Sequence, residues 1–197
     1  MSDIMALDIE TGNYSWQIGG WGNTHLFEPT VVCTWDGEEG HIFSKSHLNV
    51  KDAHWHPLHP RTLGNHLEKH VNNGGKILGH NLMGFDLPVL RDAIDCHYAG
   101  ELMSSEAVID TSALLRASTG ESHHLDDICK HTLGAGKTQK SEDAPRMWNE
   151  GKHIEVAEYC LKDCELVYNL WEHGKAEGIV KNRNPATGVI DDIEVVW

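Results

Sequence analysis

Hydrophobic and polar positions divide the chain into short apolar segments and longer amphipathic ones. Short apolar segments typical of strands cover residues 4–9, 30–35, 41–43, 76–79 and 108–110. Segments with apolar residues three and four positions apart predict helices over 60–72, 111–116, 124–133 and 152–175, and a further helix is expected to begin near Leu87. Asp36-Gly37 predicts the turn of a hairpin between the second and third strands.

Strands and helices alternate after this early hairpin, so the pattern predicts an α/β fold with a central mixed β-sheet flanked by helices. We expect one domain over residues 1–178, followed by a C-terminal β-hairpin extension over 179–197 that turns at 184–188. Residues 12–22 and the polar segment 134–147 are predicted to be loops. A chain of 197 residues is long enough to bury a core of its own.

The composition is acidic, with a formal net charge of −14 at pH 7. This charge argues against a broad basic groove for nucleic acid, because such grooves use Lys and Arg to meet phosphates. Carboxylates that bind metal cations would explain part of the excess. The start of the sequence is acidic rather than basic, and no apolar run approaches the roughly 20 residues of a membrane span. We therefore expect an intracellular, cytoplasmic protein that does not bind membranes.

Cysteine usage agrees with this expectation, since the five cysteines are an odd number and form no CxxC pair. Cys160 and Cys164 lie four residues apart, so we expect them on one helix face as small buried groups rather than as zinc ligands.

The candidate chemistry is carried by carboxylates in three separate segments. Asp8 and Glu10 flank Ile9 on a predicted strand, and alternation turns both carboxylates to one face. Asp86 follows a strand in the segment 79–88, although it could instead serve only as the N-cap of the next helix. Clustered Asp and Glu oxygens are the ligands that Mg²⁺ and Mn²⁺ prefer.

The third segment lies in the long predicted helix, where Tyr159 and Asp163 are one turn apart and share a face. The alternative for this pair is a surface carboxylate beside a partly buried tyrosine. Each of the three segments is a weak signal when it is taken alone.

Together, the segments resemble the DEDD exonuclease superfamily in its tyrosine-bearing DEDDy branch. The resemblance rests on Leu-Asp-Ile-Glu-Thr-Gly at 7–12, Gly-His-Asn-x-x-x-Phe-Asp-Leu-Pro at 79–88 and Tyr-Cys-x-x-Asp-Cys at 159–164. The histidine-bearing branch would place His at position 157 or 158, where this chain has Ala157 and Glu158. Residues 109–137 are similar to stand-alone proteins that resemble the exonuclease domain of family-B DNA polymerases.

The resemblance implies a ribonuclease-H-like fold and a proofreading-type 3′→5′ exonuclease that uses two Mg²⁺ or Mn²⁺ ions. It implies that Asp8, Glu10 and Asp163 hold the metal that activates water, with Asp8 bridging to a second ion. It implies that Asp86 supports the second ion and that Tyr159 orients the attacking water. It also implies that the terminal nucleotide is contacted by Thr11, Asn81 and Met83.

The implied substrate is the 3′ end of single-stranded DNA, with release of nucleoside 5′-monophosphates. An RNase-D-like exoribonuclease is the first alternative, and a non-catalytic nucleic-acid-binding or polymerase-accessory module is the second. A phosphatase acting on free nucleotides would use similar metals. A polymerase or another partner that delivers the substrate would fit the acidic charge of the chain.

Several other residues have two interpretations. Trp16, Trp21 and Trp55 are expected to close the sheet edge, with stacking on bases as the alternative. The histidine-rich segment 54–59 is expected to be a loop. Contacts to phosphate or bases are slightly favoured over a metal site, because no Cys or Glu completes a recognisable set of ligands. The modest basic cluster either contacts the strand backbone or is a solvated loop; it consists of Lys137, Lys140 and Arg146.

Overall fold

A computed structural model describes residues 3–136, 143–184 and 187–197. The strands are β1 Ile4–Thr11, β2 Pro29–Trp35, β3 Gly40–Ser44, β4 Ala53–Pro57, β5 Lys76–Gly79, β6 Val108–Asp110, β7 Ile179–Arg183 and β8 Ile190–Glu194. The α-helices are α1 Pro60–Asn72, α2 Asp86–Ile94, α3 His97–Leu102, α4 Thr111–Thr119, α5 Leu125–Leu133, α6 Ala144–Asn149 and α7 His153–Glu177. Two short 3₁₀ helices, Ser15–Ile18 and Thr24–Leu26, lie between β1 and β2.

Six of the strands form one mixed sheet in the order β4-β3-β2-β1-β5-β6. β1 pairs antiparallel with β2. β2 pairs antiparallel with β3, which is the hairpin that Asp36-Gly37 predicts. β1 pairs parallel with β5, and β5 with β6. The predicted α/β fold with a central mixed sheet flanked by helices is therefore confirmed.

The side chains of β1 alternate between two hydrophobic cores, one on each face of the sheet. Met5, Leu7 and Ile9 belong to the core that is completed by α1, α2 and α3. Ile4 and Ala6 belong to the other core, which α5, α6 and α7 complete. The same alternation turns Asp8 and Glu10 toward the face that α7 covers.

Three elements differ from the sequence prediction. The segment around His54 and His56 is an edge strand rather than a loop, because β4 pairs in parallel with β3. The proline of this strand, Pro57, belongs to the last residue pair between the two strands. An edge strand tolerates proline there, since one side of the strand needs no ladder hydrogen bond. The other two are the short helices α3 and α6, the latter beginning inside the segment that was predicted to be a loop.

The predicted C-terminal hairpin is confirmed as β7 paired with β8, although residues 185 and 186 of its turn lie outside the described part. The hairpin packs on α5 and α7: Lys181 N–H donates to Thr132 Oγ1 at 2.8 Å, and Trp197 stacks on Trp171. The chain enters it directly after α7, which ends at Glu177 with Gly178 in the left-handed region. The division at 178/179 stays a prediction.

All five cysteines are buried thiols that form no disulfide within the described residues, and Cys160 and Cys164 lie on the buried face of α7 as expected. Among the described residues, no helix combines the length and apolar character needed to cross a membrane.

Candidate functional site

The carboxylates of Asp8, Glu10 and Asp163 meet where β1 packs against α7. One carboxylate oxygen of each lies within 4.8 Å of the others. The Cys160 thiol holds the two elements together, since its Sγ donates to the carbonyl oxygen of Asp8 at 3.4 Å. Residues 155 positions apart thus form one compact acidic group, as the resemblance implies for the first and third segments.

Burial makes this group unusual. Asp163 is 1% exposed and Glu10 is 7% exposed, while Asp8 is half-buried. Buried carboxylates of like charge repel one another and lose hydration, so a bound cation would lower the free energy of the folded state. An all-oxygen donor set of this spacing suits a hard divalent ion such as Mg²⁺ or Mn²⁺.

Asp86 lies beside the group at the first residue of α2 and is 5% exposed. Burial raises its pKa well above the usual range, and the nearby Asp8 carboxylate raises this pKa further. The Ile9 backbone N–H donates to the Asp86 carboxylate and opposes the shift, which ties α2 to the middle of the acidic strand segment. The N-cap of α2 is Phe85, so the alternative that Asp86 is merely the N-cap is wrong.

Tyr159 lies one helical turn before Asp163 on the buried face of α7 and is 3% exposed. The alternative of a surface carboxylate beside a partly buried tyrosine is therefore wrong, because both side chains are buried. Their shared face is the one that packs against β1, as the four-residue spacing predicts.

The three residues predicted to contact the nucleotide lie on different parts of the site rim. Thr11, at the end of β1, is 8% exposed and its hydroxyl donates to the carbonyl oxygen of Asn13 at 2.9 Å. Asn81 is exposed with a φ of 73°, in the left-handed region that Asn tolerates better than most residues. Met83 is 39% exposed. The binding of a nucleotide by these three side chains stays a prediction.

Asp110 is a site residue that the sequence motifs do not identify, and its carboxylate fixes the loop that precedes Asp86. Its Oδ1 accepts from Asn81 N–H at 2.8 Å, and its Oδ2 accepts from Met83 N–H at 3.0 Å. The same Oδ1 caps α4 by accepting from Ser112 N–H and Ala113 N–H. A strand-end aspartate directly before a predicted helix was the available signal, and it indicated only an N-cap.

His80 completes this support from the other side of the loop. Its Nδ1 lies 3.0 Å from Thr111 Oγ1, and its Nε2 lies 2.8 Å from the carbonyl oxygen of His123. The Thr111 hydroxyl also donates to the carbonyl oxygen of Gly79 at 3.0 Å. The loop from His80 to Phe85 is thus anchored to the start of α4 and to the segment before α5.

Comparison with known proteins adds no family to this geometry. No protein-family model matches the chain. A search of curated proteins gives no significant match either.

The other sequence candidates have separate outcomes. Trp55 closes the sheet edge as predicted, with its indole N–H donating to Ser46 O at 2.9 Å. The same prediction is wrong for Trp16 and Trp21, which are 74% and 66% exposed because they lie in an outward-facing loop. Arg146 binds Asp143 and Glu150. The other two members of the basic cluster, Lys137 and Lys140, lie outside the described residues.

The histidines of β4 lie in a strand rather than in a loop, and His56 belongs to a cluster of imidazole rings. His41 Nδ1 and His56 Nε2 are 3.0 Å apart, and the His66 ring lies 4.6 Å from that of His41. Burial, and then the neighbouring His41 and His56, lower the pKa of His66 to about 3. The His66 imidazole is therefore neutral near pH 7. The prediction that residues 54–59 contact phosphate or bases stays untested.

Proposed function

We propose that this protein is a metal-dependent 3′→5′ exonuclease that hydrolyses phosphodiester bonds at the 3′ end of single-stranded DNA. The observation that carries the proposal is the buried convergence of Asp8, Glu10 and Asp163, with Asp86 close enough to Asp8 to raise its pKa. These are the four carboxylates of the DEDDy motifs, and Tyr159 occupies the remaining motif position. The mixed sheet with helices on both faces is compatible with the ribonuclease-H-like fold that the motifs imply.

The donor set supports a proposal of two ion positions. Asp8, Glu10 and Asp163 would hold one divalent ion, and Asp86 with Asp8 would support a second. When bound, such ions supply a nucleophile at neutral pH and stabilise charge on the attacked phosphate and the leaving oxygen. The carboxylates would hold the ions, and the burial of Glu10 and Asp163 would limit the access of bulk water.

The remaining residues act on water and on the strand end. We assign Tyr159 to hydrogen-bond and orient the attacking water, because a phenol with a reference pKa near 10 is a poor base at neutral pH. Asn81 and Met83 present an exposed rim whose backbone is fixed by Asp110, and this rim would contact the terminal nucleotide. Thr11 would contribute its backbone, since its hydroxyl is engaged by Asn13.

The test is cleavage of 5′-labelled single-stranded DNA and RNA of one sequence with Mg²⁺, Mn²⁺ or EDTA. We expect a ladder that shortens from the 3′ end, requires metal, and is lost in Asp163→Asn. Tyr159→Phe should lower kcat while leaving Mn²⁺ affinity unchanged. The matched control is Glu165→Gln, a partly exposed carboxylate on the same helix that pairs with Lys162.

Three other outcomes would each change the assignment. Faster cutting of RNA than of DNA would favour the exoribonuclease alternative, because the two substrates differ at the 2′-hydroxyl. Release of phosphate from mononucleotides would favour a phosphatase. Metal binding without cleavage of any substrate would favour the non-catalytic, polymerase-accessory alternative.

A further inference from the structure

Two exposed tryptophans stand in the loop that leaves the acidic strand. Trp16 is 74% exposed and Trp21 is 66% exposed, the highest values among the exposed large aromatic residues of the described chain. Exposing large apolar rings to water is unfavourable, and grouped exposed rings commonly mark an interaction surface. The loop, residues 12–27, begins directly after Thr11 and two residues after Glu10.

The loop is held in shape rather than left open. Asn13 bridges its two ends: its side-chain Nδ2 donates to Leu26 O at 2.8 Å, and its Oδ1 accepts from Glu28 N–H at 3.0 Å. Asn23 Nδ2 donates to Ile18 O at 2.8 Å across the middle of the loop. A fixed loop presents its rings without a large ordering cost on binding.

Each exposed ring is supported on one side by another aromatic ring. Trp16 stacks on Tyr14 with ring centroids 5.4 Å apart and planes 19° apart, which leaves its opposite face to solvent. Trp21 meets Phe85 edge-on at 5.4 Å. Since Phe85 immediately precedes Asp86, this contact joins the loop to the segment that carries the fourth carboxylate.

The charge of the loop differs from that of the rest of the chain. Residues 12–27 contain no Asp, Glu, Lys or Arg, whereas the whole protein has 30 acidic and 16 basic residues. A polyanion approaching this acidic protein would therefore meet no acidic side chain from the loop itself. Stacking on such rings would accept bases of any sequence, because every base has a π-face.

We propose that Trp16 and Trp21 form a stacking surface for the bases of a single strand whose 3′ end enters the acidic site. This inference rests on the proposed function and deepens it, since it specifies an unpaired strand and a grip through bases rather than phosphates. In a duplex, stacking covers the base faces except at the terminal pair, so two rings that each stack on a separate base would favour a single-stranded substrate.

The experiment measures binding of a 5′-labelled single-stranded oligonucleotide by fluorescence anisotropy, using Asp163→Asn protein so that no cleavage occurs. Adding Trp16→Ala or Trp21→Ala should raise Kd about 5- to 140-fold, the equivalent of the roughly 1–3 kcal/mol of one stacked base. Trp16→Phe and Trp21→Phe should restore most of the affinity. Leu26→Ala is the matched control, because Leu26 is 46% exposed in the same loop but carries no ring.

An oligonucleotide with abasic positions near its 3′ end separates base stacking from phosphate contacts. On that probe the tryptophan variants and the parent protein should bind alike. Equal Kd values for all variants on the normal oligonucleotide would overturn the inference and would favour a protein partner as the ligand of the exposed rings. If the wild-type protein cuts from the 3′ end and the variants still bind normally, the stacking surface fails while the exonuclease stands. If the wild-type protein neither binds nor cuts, both fail.

Discussion

Replacement of Asp110 by alanine is the most informative perturbation outside the metal ligands. The Asp110 carboxylate accepts four backbone N–H bonds: two come from the start of α4, and two from Asn81 and Met83 in the loop before Asp86. The residue is 8% exposed, so water cannot freely replace the carboxylate. Asp110→Ala therefore unfastens the loop and the helix together.

The magnitude follows from these bonds. Loss of the α4 N-cap costs about 1 kcal/mol. Each loop N–H that loses its acceptor costs about 1 kcal/mol more. The free energy of unfolding should therefore fall by roughly 3 kcal/mol, which lowers Tm by about 6–12 °C for a domain of this size.

Chemical denaturation and steady-state exonuclease kinetics measure the two consequences. We expect KM to rise more than kcat falls, because the loop holds the proposed nucleotide contacts while the metal ligands stay in place. Mn²⁺ affinity should stay near the wild-type value. Asp110→Asn is the matched variant: its amide oxygen can keep the three bonds of Oδ1, while its NH₂ group cannot accept from Met83 N–H.

Two results would contradict this reasoning. An alanine variant as stable as the wild type would mean that the four bonds contribute nothing net to folding. A loss of Mn²⁺ affinity equal to that of Asp163→Asn would mean that Asp110 acts on the metal site rather than on the loop.

Three further predictions concern charge. Without metal, Asp163→Asn should raise Tm, because a buried like charge is removed. In thermal unfolding with Mn²⁺, the same variant should lose the metal-dependent stabilisation, which for the wild type is about 2.7 kcal/mol at 100 times Kd. The pKa of His66 falls from 6.5 to about 3 on folding, so this residue stays neutral in the folded protein while the unfolded chain binds a proton. The contribution of His66 to the free energy of unfolding is therefore complete above pH 6.5 and is lost as the pH falls toward 3. His66→Gln should flatten this decline in denaturant titrations. The logarithm of Kd for a single strand should change with the logarithm of salt concentration with a slope below about 2, whereas a slope several times larger would reveal a basic groove.

The core of the candidate site could be predicted because its geometry is local at each segment. Strand alternation places Asp8 and Glu10 on one face, and helical spacing places Tyr159 and Asp163 on another. What local spacing does not give is the meeting of these faces, which depends on β1 packing against α7. Only the resemblance to the DEDDy exonucleases, through the order of the motifs along the chain, predicts that these two faces meet.

The parts that the sequence did not reveal depend on contacts between distant residues. His41, His56 and His66 come from two strands and a helix, and only the pairing of β3 with β4 brings them together. The exposure of Trp16 and Trp21 likewise depends on how the loop folds over Phe85. Composition favours burial of tryptophan, and a structured loop overrides that tendency here.

The distribution of charge explains how an acidic protein could hold a polyanion. At least seven of the 16 Lys and Arg side chains already pair with acidic groups, among them Arg146 with two partners and Lys162 with Glu165. These cations are exposed or partly exposed, so their pairing is weak, but each sits beside a carboxylate that repels phosphate. Under the proposed function, attraction for a strand end would then come mainly from divalent ions at the buried acids, from backbone N–H groups and from uncharged rings. Because ions and rings act only at the strand end and on its bases, such a protein would bind unpaired ends without covering long stretches of nucleic acid.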